Sequence, residues 1–168
     1  MTLIERLKLA KNPQIPEHAK FAAECAKFIM QIENWYSEGI RDGLIRIEKT
    51  EMEMEDNHAF SQTQIPTASA LLLTLLPIEY RTTIVFQPWG LSSRLPKIWG
   101  LMKLYPVTSL SKEYWLGISD NNEWFDIGDK IVSSVQSASQ VVFRPLTLIV
   151  LDEIINRFMP VSTKDVQA

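Results

Sequence analysis

The chain has 168 residues, 46% of them hydrophobic, with a formal net charge of −3 and one cysteine. The length matches a single globular domain, and the apolar content excludes a disordered chain because enough apolar surface can be buried to offset chain entropy. The lone cysteine excludes an internal disulfide and a four-cysteine zinc site, while the small negative charge argues against a general nucleic-acid binder, which usually carries a basic surplus.

The first clear element is an amphipathic helix predicted over residues 16–36. Pro16 suits a first helical turn, where its missing N–H is not needed, and Glu17 favours the positive end of the helix dipole. Apolar residues then recur at steps of three and four and share one face: Phe21, Cys25, Phe28, Ile32 and Trp35. Cys25 lies within this stripe and is interpreted as a buried core residue, whereas His18 is expected to be solvated in the first turn.

Residues 44–56 leave helix, strand and loop open as interpretations. Ile45 and Ile47 alternate with charged residues as they would in a strand. Met52 and Met54 do the same, but this pair falls on the opposite face from the isoleucines. The acidic residues crowded around the methionines favour an exposed stretch that leads into a loop.

The centre of the chain predicts a short helix followed by a small antiparallel sheet. The helix is predicted over residues 68–76, between two prolines, and residues 80–86 are rich in β-branched side chains and predict a strand. Proline and glycine make residues 87–97 irregular. Two further strands, 113–119 and 123–127, flank three turn-favouring residues and predict a β-hairpin.

The last third of the chain predicts two helices. Apolar residues at helical spacing occupy residues 131–142 after Asp129, a good N-cap residue. A second helix is predicted from Pro145 to about Met159, and its wholly apolar stretch 146–151 should be buried centrally. The order of elements predicts an α+β fold with a long N-terminal helix, a small antiparallel sheet in the middle and two C-terminal helices; a mainly α fold is the alternative.

Charges and short apolar runs bear on the location of the protein. Charged residues interrupt every apolar run in residues 1–11, so no signal peptide is predicted there. The longest apolar runs are shorter than the ~18 residues that a membrane-spanning helix needs. We therefore expect one globular domain over residues 1–168 that is cytoplasmic and not an integral membrane protein, with residues 1–14 as a segment that could be attached to it loosely.

Motifs that would indicate a catalytic, nucleotide-binding or metal-binding site are missing. The sequence has no glycine-rich phosphate loop, no nucleophile elbow and no His-Glu-x-x-His zinc motif. It contains two histidines, His18 and His58, which leaves few acid–base constellations for chemistry near neutral pH. We therefore expect no catalytic residue, no metal and no cofactor, and an enzyme is the less favoured class.

Charge is segregated along the middle of the sequence. Residues 80–112 contain five basic residues and no acidic one, whereas residues 48–56 are mostly acidic. The predicted binding residues combine cations, which attract an anion, with indole rings, which offer flat contact area: Arg81, Trp89, Arg94, Lys97, Trp99 and Lys103. In the alternative interpretation the basic segment packs beside the acidic one or its charges point in different directions, with both tryptophans in the core.

Two classes of function follow from these observations. The first is a non-catalytic interaction or regulatory module (adaptor, inhibitor or chaperone-like) that binds an acidic protein partner through residues 80–112. The second is a small enzyme for an anionic substrate, clamped by Arg81 or Arg94, with an acid–base group drawn from three residues: Asp152, Glu153 and His18. A nucleic-acid binder is a third and weaker alternative, and a homo-oligomer stays open.

Overall fold

Seven antiparallel strands form one sheet in the computed structural model, which describes residues 2–4, 16–55, 66–92, 95–129 and 143–160. Each strand is hydrogen-bonded to the next strand in the chain, so the sheet is a simple meander with β1 and β7 at its edges. The strands are β1 Ile45–Glu53, β2 Thr67–Leu75, β3 Thr82–Leu91, β4 Ile98–Pro106, β5 Tyr114–Ser119, β6 Trp124–Gly128 and β7 Arg144–Pro145.

Helices cover one face of this sheet. Those in the described ranges are α1 Pro16–Trp35, the short α2 Ser37–Arg41 and α3 Leu148–Phe158, together with a 3₁₀ turn at Ile78–Tyr80. α1 and α3 both contribute to one hydrophobic cluster, into which α1 inserts Phe21, Phe28 and Ile32 and α3 inserts Leu151 and Ile154. This cluster also holds alternate residues of β2 to β5, so the main core lies between the helices and the sheet.

The opposite face of the central strands carries a second, smaller hydrophobic cluster. Trp115 of β5 and Ile127 of β6 are buried there, together with residues at the start of β4. Trp89, Phe125 and Phe143 pack against them and are half-buried. The two faces of the sheet are therefore both apolar near β3 to β6, which explains why the strands do not show a clean alternation of apolar and polar residues.

The predicted N-terminal helix and the central β-hairpin are confirmed. Phe21, Cys25, Phe28 and Ile32 are all buried on the face of α1 that meets the sheet, as their spacing predicted. β5 and β6 pair as an antiparallel hairpin around the predicted turn, in which Asn122 adopts a φ of 59°. Asparagine tolerates this left-handed conformation better than most residues, which fits its place in the turn.

The predicted arrangement of the fold is wrong, because a seven-stranded sheet dominates the described residues. The helix predicted over residues 68–76 is strand β2, Thr67–Leu75. β2 pairs with a strand on each side, and its Leu71 and Leu73 lie in the main core while Ala70 and Thr74 are also buried. A strand buried on both faces has a continuous apolar sequence, which periodicity alone does not distinguish from a buried helix.

Residues 44–56, for which the sequence left helix, strand and loop open, contain the edge strand β1, Ile45–Glu53. Ile45 and Ile47 face the helices, whereas the outer positions carry exposed charges that are common on unpaired sheet edges. Gln87 to Gly90, predicted as an irregular loop, belong to β3 and contain a register shift between Pro88 and Gly90. Proline lacks a backbone N–H and is tolerated at such a bulge.

The predicted helix from Pro145 to about Met159 begins later in the structure and is not buried on all sides. α3 spans Leu148–Phe158 and begins after Thr147, whose hydroxyl accepts a hydrogen bond from the backbone N–H of Val150. Its apolar stretch is not buried on all sides, because Ile149 is exposed whereas Val150 and Leu151 are buried. The described residues contain this one C-terminal helix rather than two, and the other predicted helix, 131–142, lies outside them.

Candidate functional site

Trp99, one of the predicted binding residues, is half-buried and packs against the main core. Its ring packs edge-on against Phe21 of α1 with 5.9 Å between the ring centroids. Its Nε1 donates a hydrogen bond of 2.8 Å to the carbonyl oxygen of Ser119, and Lys20 Nζ lies 4.7 Å from the ring centroid. These contacts give Trp99 a packing role between α1 and the sheet.

Two of the predicted cations, Arg81 and Lys97, occupy separate places. Arg81 donates from Nε and Nη2 to the carbonyl oxygen of Leu76, over 3.1 and 2.7 Å, and so closes the turn between β2 and β3. Lys97 is exposed in the turn between β3 and β4 with a φ of 64°. Arg94 lies outside the described residues. The described structure therefore does not gather the predicted cations into one patch.

Trp89 and Lys103 do come together, on the sheet face opposite α1 and α3. Lys103 Nζ lies 5.4 Å from the ring centroid of Trp89, 5.4 Å from that of Tyr105 and 5.9 Å from that of Trp115. The rings of Trp89 and Trp115 pack edge to face at 5.2 Å. We call these four residues the lysine–aromatic cluster: Trp89, Lys103, Tyr105 and Trp115.

Strand register explains why the lysine–aromatic cluster forms. Lys103 of β4 pairs directly with Trp115 of β5 and with Gln87 of β3, so these side chains share a face. Tyr105 lies two residues along β4 and points the same way. Trp89 is the extra residue of the β3 bulge, because Pro88 pairs with Met102 and Gly90 pairs with the adjacent Leu101.

Carboxylates flank the lysine–aromatic cluster. Glu113 Oε2 lies 3.2 Å from Lys103 Nζ, and the side chains of the lysine and the glutamate are 20% and 40% exposed. Gln87 donates a hydrogen bond of 3.0 Å to Glu55. Burial, with a smaller effect of the Glu55 charge, raises the pKa of Tyr105, which therefore stays a neutral phenol. The cluster is a partly buried cation held by one carboxylate and three rings.

Trp115 carries a second polar group of interest within the cluster. Its Nε1 is buried and has no hydrogen-bond partner in the part of the chain that the structure describes. A buried donor without an acceptor costs about 1–3 kcal/mol. Sequence reasoning did not include Trp115 among the predicted binding residues. The signal that could have indicated it was its place in the predicted strand 113–119, two residues after Glu113.

Comparisons with known proteins add no relative. No protein-family model, no curated protein and no solved structure matches this chain. In the described ranges no helix is long and apolar enough to cross a membrane. No group of three or more histidine, cysteine, aspartate or glutamate side chains is placed to hold a metal ion among those residues.

The candidate acid–base residues make separate contacts, although Asp152 and Glu153 are adjacent in α3. Asp152 accepts a hydrogen bond of 2.6 Å from the hydroxyl of Tyr36, whereas Glu153 is ion-paired with Arg144 at 2.7 Å. His18 is buried with 1% of its surface exposed, so the expectation of a solvated histidine is wrong. It occupies the first turn of α1.

Cys25 behaves as the core residue that its spacing indicated. It is fully buried in the main core, between Phe21 and Phe28 along the same stripe of α1. Burial, with a smaller contribution from the nearby charge of Glu24, raises the pKa of its thiol well above the ordinary value of 9.0. A thiol held protonated in this way is a poor nucleophile, since the thiolate is the reactive form.

Proposed function

We propose that the chain is a non-catalytic protein-interaction module, acting as an adaptor, inhibitor or chaperone, that binds an acidic segment of a partner protein at the lysine–aromatic cluster. The observation that carries the proposal is the position of Lys103, a partly exposed cation surrounded by three aromatic rings and bound to one exchangeable carboxylate. A cytoplasmic location, expected from the sequence, is part of the same proposal.

The chemistry of the cluster favours an anionic side chain as the recognised group. An ammonium shielded by aromatic rings attracts a carboxylate more strongly than a fully hydrated lysine does, because the local dielectric constant is lower. Tryptophan and tyrosine around it provide large contact areas with few rotatable bonds, as in the energetic centres of many protein interfaces.

Glu113 has a distinct role in this proposal. Its carboxylate, 40% exposed and directly before β5, occupies the position beside Lys103 that a partner's carboxylate would take. Binding then exchanges one carboxylate for another, and the ion pair with Glu113 competes with the partner. Removing the charge of Glu113 should strengthen binding, whereas removing the charge of Lys103 should weaken it.

The test is a comparison of baits in an extract of the native cells at low salt. We expect proteins retained by the parent chain to be lost on a Lys103→Met bait, because methionine keeps the packing of the alkyl chain and removes the charge. Lys27→Met is the matched control, since Lys27 is an exposed lysine on α1 at the opposite face. Bound proteins are identified by mass spectrometry, and melting curves establish that all baits are folded.

Affinity measurements with the purified partner complete the test. We expect Lys103→Met to weaken binding by about tenfold or more, Glu113→Gln to strengthen it and rising salt to weaken it. If the Lys103→Met and Lys27→Met baits retain the same proteins with the same affinity, the lysine–aromatic cluster is not the binding surface and the proposal fails.

A further inference from the structure

A cavity of about 300 Å³ lies on the helix side of the sheet, the face opposite the lysine–aromatic cluster. Its walls are mainly apolar and come from β1, β2 and α3: Ile45, Leu73, Leu75 and Ile155. Its polar lining groups are Tyr36, just after α1, and Asp152 and Asn156 of α3, and Asp152 is exposed. Apolar walls with a small number of convergent polar groups are typical of small-molecule sites.

Among the described residues, no cation is paired with the carboxylate of Asp152 in the cavity lining. Asp152 accepts one hydrogen bond, from the hydroxyl of Tyr36 at 2.6 Å, and makes no ion pair with any described residue. Its neighbour Glu153, in contrast, is paired with Arg144. Burial, reinforced by the hydrogen bond to Asp152, raises the pKa of Tyr36, so the phenol stays protonated and donates to Asp152.

We propose that this cavity binds a small apolar ligand that carries a protonated amine, with the ammonium group paired to Asp152 and the apolar body packed on Ile45, Leu75 and Ile155. The Tyr36 hydroxyl holds one carboxylate oxygen, which leaves the other available to the ammonium group. A cavity of about 300 Å³ suits a ligand of roughly ten non-hydrogen atoms at ordinary packing density. This site is independent of the proposed protein-binding surface.

Charge complementarity determines the choice of ligand class. A carboxylate ligand would place a second negative charge beside Asp152, and a neutral ligand would offer this exposed carboxylate no cation. A protonated amine pairs with the carboxylate, and its apolar body covers the walls. The expected preference is therefore amine over alcohol over carboxylate for ligands of equal size.

The test uses three amines and their neutral counterparts of equal size: hexylamine with hexan-1-ol, 4-phenylbutylamine with 4-phenylbutan-1-ol, and tryptamine with tryptophol. Binding to the full chain is measured by calorimetry and by ligand-observed NMR. We expect at least one amine to bind about tenfold more tightly than its alcohol. Asp152→Asn should abolish this preference, whereas Glu153→Gln, the same change at the next residue of α3, should leave it intact.

Two controls keep the result interpretable. Asparagine can still accept the hydrogen bond of Tyr36, so Asp152→Asn is expected to fold, and melting curves verify this for each variant. Ile45→Trp fills the apolar part of the cavity and should remove binding of amines and alcohols alike. The proposal is overturned if no amine binds, if amines and alcohols bind equally, or if Glu153→Gln reduces the preference as much as Asp152→Asn does.

Discussion

Replacing Gly100 with alanine should destabilise the protein by about 3 kcal/mol, at the upper end of the cost of overpacking a core. A Cβ atom at this position of β4 would lie 2.5 Å from Cδ2 and Cε2 of Phe21 and 2.9 Å from Cγ2 of Ile118. Phe21 is fully buried and packs edge-on against Trp99, so its ring has little room to move away. The measurement is equilibrium unfolding in urea of the parent and the variant.

A double substitution separates this steric clash from other effects. Phe21→Leu shortens the side chain that the new methyl group meets, so Phe21→Leu combined with Gly100→Ala should cost less than the two single changes together. Gly43→Ala is the comparison for backbone effects, because nothing lies within 4 Å of its Cβ position but its φ is +72°. It should cost about 1 kcal/mol. A Gly100→Ala protein as stable as the parent would show that α1 does not approach β4 this closely.

The sequence predicted α1 and the β5–β6 hairpin because local signals agree with tertiary packing there. The stripe that begins at Phe21 faces a single apolar surface, and the turn residues around Asn122 suit a hairpin in any context. β2 was predicted as a helix because its burial depends on strand partners distant in sequence. Leu71 pairs with Lys49 on one side and Phe86 on the other, and no local pattern specifies such pairing.

The candidate site was predicted in part, since Trp89 and Lys103 are neighbours but Trp99 is not. Trp99 and Lys103 are four residues apart in β4, and regular alternation would place them on the same face. The register shift between Ile98 and Gly100 makes Trp99 the extra residue and turns it toward α1. Bulges of this kind are set by the pairing of whole strands and have no reliable signal in a short sequence.

Stability should fall steeply above pH 9, because the side chains of Cys25, Tyr36 and Tyr114 keep their protons in the folded chain. Burial raises the pKa of Cys25 from 9.0 and that of Tyr36 from 10.0. Burial, reinforced by a hydrogen bond to Asp126, raises the pKa of Tyr114 from 10.0 to about 12. The unfolded chain loses these protons at the ordinary pKa values, so above them the folded state binds more protons and stability decreases with rising pH.

The expected loss is large enough to separate the contributions of the three groups. Each one costs about 1.4 kcal/mol per pH unit above its ordinary pKa, which near pH 11 amounts to about 3 kcal/mol for Cys25 and about 1.4 kcal/mol for each tyrosine, or about 5–6 kcal/mol for all three. Below the ordinary value of Cys25 the three groups are protonated in both states, and their contribution to stability is independent of pH. Urea unfolding between about pH 8 and pH 11 measures this dependence.

Substitutions assign the steps of this alkaline transition. Cys25→Ala should remove the decrease that begins near pH 9, although it also lowers stability at neutral pH by creating a small cavity. Tyr36→Phe should leave that first decrease unchanged and reduce the slope above pH 10. The comparison uses slopes rather than absolute stabilities, so the cavity does not affect it. An unchanged slope near pH 9 in Cys25→Ala would mean that the thiol is accessible to water, and the packing of α1 against the sheet would then be wrong at its centre.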